Sequence, residues 1–586
     1  MRSAFALLAI LIIGNVNSFA QNNIICTNPT AEQVMLGNYD PTTYTAPVVF
    51  SNPDSISLYL QNNISPDSLK NFIEQLQAFH NRNTGSDTVS NSNGIGAARR
   101  WAFQKFQSIS ANSNNRLLPF YLQFDLSICN SPQHKNICAV LPGADTSDKS
   151  VVIVEAHIDS RCEVVCDTAC LAQGMEDNGS GTALVLELAR VMSQLTLNRT
   201  IVFMLTIGEE QGLDGAGAMA TYVQQKSIKL KAVFNNDITG GIICGATSSA
   251  PSCPGLNDID STDVRLFSYG GFNSPHKQLA RFTKLEYKEQ MLSLVTVPMN
   301  IQIMTPEDRI NRGGDHIPFR QKNYTAIRMT AANENGNAMI DSTYTDRQHS
   351  SRDILGVDAH NSGTIDSFYV DFDYLARNTV INGNAIAMAA LGPATPGFTV
   401  DTVPGNRIRV EILNEYFFDQ FRVGIRSLTN DWDSVYTFTG KLVDTLDLCD
   451  TGTYYVSVAT TDYKNVESLF SGEVMARLNS TGSCTYNGVD EIHGTATGIE
   501  LLQNKPNPFD EATTISVYAG SNFASKKAYI SITDVNGKQL KQIPIDLKQG
   551  INEILYQHGF NASGTFFYTL YIDDKPFQTR RMVFAN

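Results

Sequence analysis

Four short segments carry the groups that could do chemistry: His157-Ile158-Asp159, Glu176-Asp177-Asn178-Gly179-Ser180-Gly181, Gly208-Glu209-Glu210 and Asn236-Asp237. Val151 to Val154 lead into His157, Ile201 to Ile207 into Glu209 and Glu210, and Ala232 to Phe234 into Asp237. These runs are short, β-branched or aromatic, and bounded by polar residues, so they read as strands. Three strands then deliver donors to one edge. In an open α/β sheet, sites form in the crevice outside the carboxyl ends of the strands. Hard oxygen donors gathered there with an imidazole suit one or two zinc ions.

The elements that must position these groups follow from periodicity. Leu69, Phe72, Ile73, Leu76 and Phe79 recur at helical spacing, and a second helix is expected around residues 97–109. Strands at 136–141, 149–156, 200–207 and 231–234 alternate with helices at 181–195 and 215–225. A strand at 324–329 and a helix at 374–391 follow. The pattern predicts an α/β domain over residues 67–392, with a mixed, largely parallel sheet and helices on both faces. Gly392-Pro393 and Pro396-Gly397 then mark a linker. Short alternating runs at 407–413, 420–427, 435–439, 453–460 and 471–476 predict a β-sandwich over 396–480, which resembles a fibronectin type III or immunoglobulin-like module. After a linker at 480–497, a second all-β module fills 497–586, with an Asn536-Gly537 hairpin turn.

Composition narrows the function. The 586 residues are 42% hydrophobic and 17% charged, enough for three to four domains with real cores. A net charge of -14 and the lack of a basic run argue against a nucleic-acid partner. Residues 1–20 read as a signal peptide: Met1-Arg2-Ser3, an apolar stretch, and a small-residue end at Ser18-Phe19-Ala20. No later stretch has the length of a transmembrane helix, so a secreted or cell-surface protein is expected. Residues 21–66 are polar and turn-rich, either a propeptide or an extension packed on the catalytic domain. Ten cysteines fit disulfides in an oxidising compartment better than a cluster at Cys162, Cys166 and Cys170. Proximity favours Cys129 with Cys138 and Cys244 with Cys253, although spacing does not fix connectivity.

Two resemblances sharpen these readings. Leu502-Gln-Asn-Lys-Pro506-Asn507-Pro508-Phe509, Ile532-Thr-Asp-Val-Asn-Gly537-Lys538 and Gly564-Thr-Phe-Phe-Tyr568 resemble the C-terminal sorting domain of the type IX secretion system of Bacteroidota, which implies that machinery as a partner. The segments opened above, with Leu184 to Arg190, Gly208-Glu-Glu-Gln-Gly-Leu213 and Gln348-His349-Ser350-Ser351-Arg352-Asp353, resemble the dizinc aminopeptidase family. That family, the M28-like peptidases, also holds glutamate carboxypeptidases and has glutaminyl cyclases as relatives. The resemblance implies the zinc exopeptidase fold, peptide or protein substrates, and two zinc ions. His157 and Asp237 would bind one ion, Glu210 and His349 the other, and Asp177 would bridge them.

The same resemblance makes Glu209 the general base for a hydroxide shared by the two ions. Adjacent glutamates point in different directions and can hold different jobs. Asp159 would accept the second N–H of His157 and fix its ring. Asp315-His316 offers a competing histidine, but the final ligand of the family lies in a segment like Gln348-His349, leaving Asp315 and His316 as substrate-pocket groups. The expected activity is that of a secreted zinc aminopeptidase. The alternatives are a single-zinc glutaminyl cyclase, which the peptidase-like turn Asp177-Asn178-Gly-Ser-Gly181 disfavours, and a non-catalytic binding module, which the retained acids disfavour.

Overall fold

The computed structural model describes residues 21–48, 50, 52–243, 259–309, 312–332, 347–414, 417–427, 431–448, 452–478, 499–502, 504, 507, 509, 512–519, 527–534, 538–545, 547–548, 550–557, 564–573 and 575–584. The expected signal peptide, the Asn536-Gly537 turn, the 480–497 linker and Cys244, Cys253, Cys449 and Cys484 lie outside them. The chain divides into two compact units, residues 1–484 and 485–586.

The first unit is built on strands β1 (Asn22–Cys26), β2 (Leu118–Ile128), β3 (Ser131–Leu141), β4 (Val151–His157), β5 (Thr200–Thr206), β6 (Leu230–Asn236), β7 (Asp263–Ser268), β8 (Asn300–Ile303) and β9 (Ala326–Ala331). They form one mixed sheet in the order β1-β2-β3-β5-β4-β6-β9-β7-β8. The centre, β5-β4-β6-β9, is parallel, while β1-β2-β3-β5 and β9-β7 pair antiparallel. Helices α1 (Pro29–Met35), α2 (Pro53–Asn63), α3 (Pro66–Leu76), α4 (Gly94–Ala111), α5 (Ser180–Met192), α6 (Glu209–Gly212), α7 (Asp214–Gln225), α8 (Pro275–Glu286), α9 (His316–Gln321) and α10 (Phe372–Leu391) complete it. One layer holds α3, α4, α5 and α10, and α7 packs with α9 against the sheet. Every residue of β4 and β5 is buried, as strands covered on both faces must be. Each large apolar side chain there contributes about 1.5–3 kcal/mol of transfer free energy.

The N-terminal segment differs from its turn-rich reading. Residues 22–26 extend the main sheet, and α1 and α2 bury Ala31, Val34, Met35, Ile56 and Leu60. The pairs Asn28-Pro29, Asn52-Pro53, Ser65-Pro66 and Ser274-Pro275 look like turn punctuation, yet each polar residue caps a helix N-terminus with proline in its first turn. Cysteine pairing also departs from sequence proximity. Cys129 bonds Cys166 and Cys162 bonds Cys170. Cys138 is buried and free, because β-ladder register sets it opposite Phe120 while Cys129 sits in the turn at the far end of the hairpin.

Beyond the ribbon of β10 (Gly356–Val357) and β11 (Ser367–Phe368), the same unit carries β12 (Gly397–Val403), β13 (Arg407–Leu413), β14 (Gln420–Arg426), β15 (Ser434–Thr439), β16 (Val443–Asp447), β17 (Gly452–Thr461) and β18 (Val474–Leu478). They make two antiparallel sheets, β12-β13-β16 and β15-β14-β17-β18, around one apolar core. The periodicity reading missed β12 and β16, in which half or more of each strand is exposed. The second unit has the same plan. Strands β19 (Ile499–Leu501), β20 (Ala512–Ala519) and β23 (Gly550–Gln557) form one sheet, and β21 (Ala528–Asp534), β22 (Gln539–Ile545), β24 (Gly564–Ile572) and β25 (Lys575–Phe584) the other.

Where α8 meets the sandwich, Glu286 and Glu467 are 2% and 5% exposed. Burial, opposed by Arg422 and reinforced by Glu289, pushes the Glu467 carboxyl up from 4.5 to about 8. Burial and then Glu467 raise Glu286 as well. The folded chain therefore keeps a proton that the unfolded chain releases, and stability should fall as pH rises from about 4.5 to about 8. Glu467→Gln is expected to flatten that fall and to melt higher than the parent at pH 8. Thermal melts at pH 5 and pH 8 check this; equal pH sensitivity in both proteins would contradict it.

Candidate metal centre

The acidic and imidazole groups meet at the carboxyl ends of the parallel strands. His157 is the last residue of β4, Asp237 follows β6, and Glu209 and Glu210 open α6 just past β5. Gly208, at φ 78°, turns the chain out of the strand; a side chain there would crowd Asp214. Asp177 lies in the turn that enters α5, and His349 in the loop after the undescribed residues 333–346. The Asp177–Asn178 peptide is cis.

Asp177 stands at the centre. One carboxylate oxygen lies 3.2 Å from His157 Nε2 and the other 3.2 Å from His349 Nε2. His157 Nε2 is also 3.3 Å from Asp237 Oδ1, and His349 Nε2 is 3.2 Å from Glu210 Oε2. Glu209 is set back, at 4.0 Å from His157 Nε2. Asp177, Glu209, Glu210, Asp237 and His349 line a cavity of about 320 Å³ together with Arg161, Arg309, Arg312 and Gln348. Arg328 pairs with Asp237 at 2.9 Å and with Asp308 at 2.9 Å. Asp353 accepts the backbone N–H of both Glu176 and Asp177 at 2.9 Å, which braces the turn.

The electrostatics call for cations. Burial alone would depress the His157 pKa, yet Glu209, Asp177 and Asp237 outweigh it and raise it well above the usual range. His349 is raised for the same reason, by Glu210 and Asp177 against burial. Burial would raise Asp177, but the two imidazoles hold it well below the carboxylate range. Glu210 Oε1 is buried with no hydrogen-bond partner. Donors about 2.0–2.1 Å from a tetrahedral ion stand roughly 3.3–3.4 Å apart, close to the His157–Asp177, His157–Asp237, His349–Asp177 and His349–Glu210 separations. The imidazole and carboxylate donors therefore fit zinc. The imidazoles are not equivalent. His157 Nδ1 faces the Asp159 carbonyl at 3.1 Å, which favours a free lone pair on Nε2, whereas His349 Nδ1 faces the guanidiniums of Arg161 and Arg312 at 2.7 and 3.1 Å.

Two sequence expectations change here. The Asp159 carboxylate is 3.7 Å from His157 Nδ1, and the closer acceptor is the Asp159 main-chain carbonyl. The carboxylate instead accepts the N–H of Glu209 at 3.4 Å, the N–H of Glu210 at 3.3 Å and the Thr84 hydroxyl at 3.1 Å. It orients the glutamate turn, because the chain has left β4 at His157 and the side chain faces α6. Asp315 and His316 do not line the cavity. Both are fully buried behind it: Asp315 accepts from Thr206, and His316 Nε2 lies 3.1 Å from the Glu307 carbonyl. His349→Ala should accordingly lower bound metal, whereas His316→Ala should leave the metal content of the folded protein unchanged; elemental analysis of both reads this out. Reversed results would exchange the two histidines.

Sequence reasoning assigned no role to Arg161, Arg312, Arg328 or Asp353. Arg328 did carry a signal, since a charged residue inside the fully buried strand β9 must have a partner. Nothing in the spacing marks Arg161 or Arg312, which reach the site through loops.

Comparison with known proteins places residues 136–368 in a match to "Peptidase family M28". A "Probable zinc metalloprotease" of the fungus Leptosphaeria maculans is 33% identical over 352 residues, spanning 58% of this chain and 78% of that protein. A "Probable zinc metalloprotease" of Pyricularia oryzae is 31% identical over 60% of this chain and 69% of that protein. Among solved structures, LapB from Legionella pneumophila is similar over 60% of this chain and 78% of that one, at 19% identity and a TM-score of 0.42.

Proposed function

This chain belongs to peptidase family M28, and from that premise we propose that it is an exported zinc exopeptidase that removes N-terminal residues from peptides with two zinc ions at its centre. The observation that carries this reading is the Asp177 carboxylate, which offers one oxygen to each imidazole at 3.2 Å. His157 and Asp237 would hold one ion and Glu210 and His349 the other, with Asp177 shared. When bound, the ions supply Lewis acidity that activates water and polarises a peptide carbonyl near neutral pH.

The rest of the reaction falls to side chains. Glu209, offset from the ligand pairs but opening on the cavity, takes the proton of the attacking water and returns it to the leaving nitrogen. Burial, then Asp237, Asp315 and Glu210, raise its pKa well above the ordinary value against His157, which favours proton uptake. Asp159 orients Glu209 and Glu210 through their backbone N–H groups.

We further propose the organisation read from the sequence: a signal peptide at 1–20, an extension at 21–66, a catalytic domain at 67–392, a fibronectin type III-like sandwich at 396–480, and a type IX sorting domain at 497–586 that directs export to the cell surface or medium. The test of the activity is a mass-spectrometric time course on short peptides. Stepwise loss of N-terminal residues is expected, N-acetylated counterparts should be nearly inert, and a chelator should abolish activity until zinc is restored. Loss of C-terminal residues would make it a carboxypeptidase. Loss of ammonia from N-terminal glutamine without chain cleavage would make it a cyclase.

A further inference from the structure

Arg82 lies in the irregular segment between α3 and α4 and is fully buried. Among the described residues its guanidinium makes no ion pair with an acid; it donates to main-chain carbonyls instead. Nε reaches the Ile158 carbonyl at 2.8 Å, Nη2 the Gly174 carbonyl at 2.9 Å, and Nη1 the Gln173 carbonyl. Ile158 follows His157 directly, whereas Gln173 and Gly174 open the turn that carries Asp177. One rigid fork therefore spans the two loops whose separation sets the distance from His157 to Asp177.

The backbone of the same segment makes the same connection. Arg82 donates its N–H to the Ala172 carbonyl and accepts from the Ser160 N–H. The Ser160 hydroxyl closes the link to the Ala172 carbonyl at 2.6 Å. Contact is tight enough that a side chain on Gly174, at φ 56°, would meet Ser160 Cβ. Burial lowers the Arg82 pKa to about 10, and Asp353, Asp159, Asp177 and Glu210 act against that loss. The buried charge thus also balances the acids of the centre through space.

We infer that Arg82 is a positioning residue of the metal centre, locking the exit of β4 to the Asp177 turn so that His157 and Asp177 face a common cation. This rests on the two-zinc reading above. Lysine at this position keeps the charge but loses the planar fork, since a point ammonium cannot reach carbonyls in both loops with the same geometry.

A built-in control exists. Arg116 is also buried and also donates to three carbonyls, those of Tyr44, Ser193 and Leu195. It does so past the far end of α5, about 20 Å from the Asp177 turn at 1.5 Å per residue. Zinc affinity of the full chain, measured by competition with a chromophoric chelator, and thermal melting should be compared for the parent, Arg82→Lys and Arg116→Lys. Both variants should melt lower than the parent, but only Arg82→Lys should bind zinc about 10- to 100-fold more weakly, the usual size of an outer-shell defect. Ser160→Ala, which deletes one hydrogen bond between the same loops, should weaken zinc several-fold and decides the matter if Arg82→Lys does not fold. Parent-like zinc affinity in Ser160→Ala and in any folded Arg82→Lys, or equal weakening in Arg116→Lys, overturns the inference. A parent chain that binds no zinc overturns the underlying two-zinc reading instead.

Discussion

Glu209→Gln should keep its metal and lose roughly two to four orders of magnitude in kcat, the usual worth of a general base. Glutamine preserves the size and hydrogen bonding of the side chain, and the backbone N–H of residue 209 still meets Asp159. The closest imidazole nitrogen is 4.0 Å from the Glu209 carboxylate, against 3.2 to 3.3 Å for the ligand pairs. Only proton transfer is lost. Glu210→Gln is the necessary contrast, because that carboxylate lies 3.2 Å from His349 and 2.9 Å from Arg161. It should release metal as well as slow turnover. Metal content by elemental analysis beside steady-state kinetics separates the two, and equal metal loss in both variants would overturn this division of labour.

Asp177→Ala should cost both ions and leave no measurable turnover. The other carboxylates each approach one imidazole at 3.2 to 3.3 Å, whereas Asp177 approaches both. Its removal leaves His157 with Asp237 and His349 with Glu210, two incomplete donor pairs whose mutual charge is no longer compensated. Bound zinc is expected to drop from about two per chain to less than one. An Asp177→Ala protein with full metal and activity would show that the ligand assignment is wrong. A parent protein with a single ion would point toward cyclase chemistry.

Much of the fold was legible because hydrophobic periodicity is a local signal. Runs such as residues 151–154 and 201–207 are apolar on both faces, which only strands covered by helices need, and α3, α5, α7 and α10 announce themselves at 3.6-residue spacing. The helices α1, α2 and α8 were not legible. Their caps are Asn-Pro and Ser-Pro pairs, whose local chemistry serves a turn or a helix start equally well, and the choice is made by the apolar surface the helix goes on to bury. Edge strands β12 and β16 were missed because much of their length faces solvent, so no apolar face repeats clearly along them.

By itself, the sequence marked His157, Glu209, Glu210 and Asp237, since a carboxylate or imidazole placed just after a buried parallel strand has only one edge to occupy. Tertiary structure alone decided how the site's side chains are placed. Asp159 turns from the His157 ring to the glutamate turn because β4 ends at His157, and His316 is held behind the site by α9 while His349 arrives from a distant loop. Disulfide partners were decided the same way: Cys129 and Cys138 are nine positions apart in sequence, but the ladder register carries Cys138 up β3 into the core and leaves Cys129 beside Cys166. Short-range pattern fixes the direction in which a side chain leaves its own element. Which groups converge depends on loops whose course is set by packing hundreds of residues away, and that information is written in no single segment.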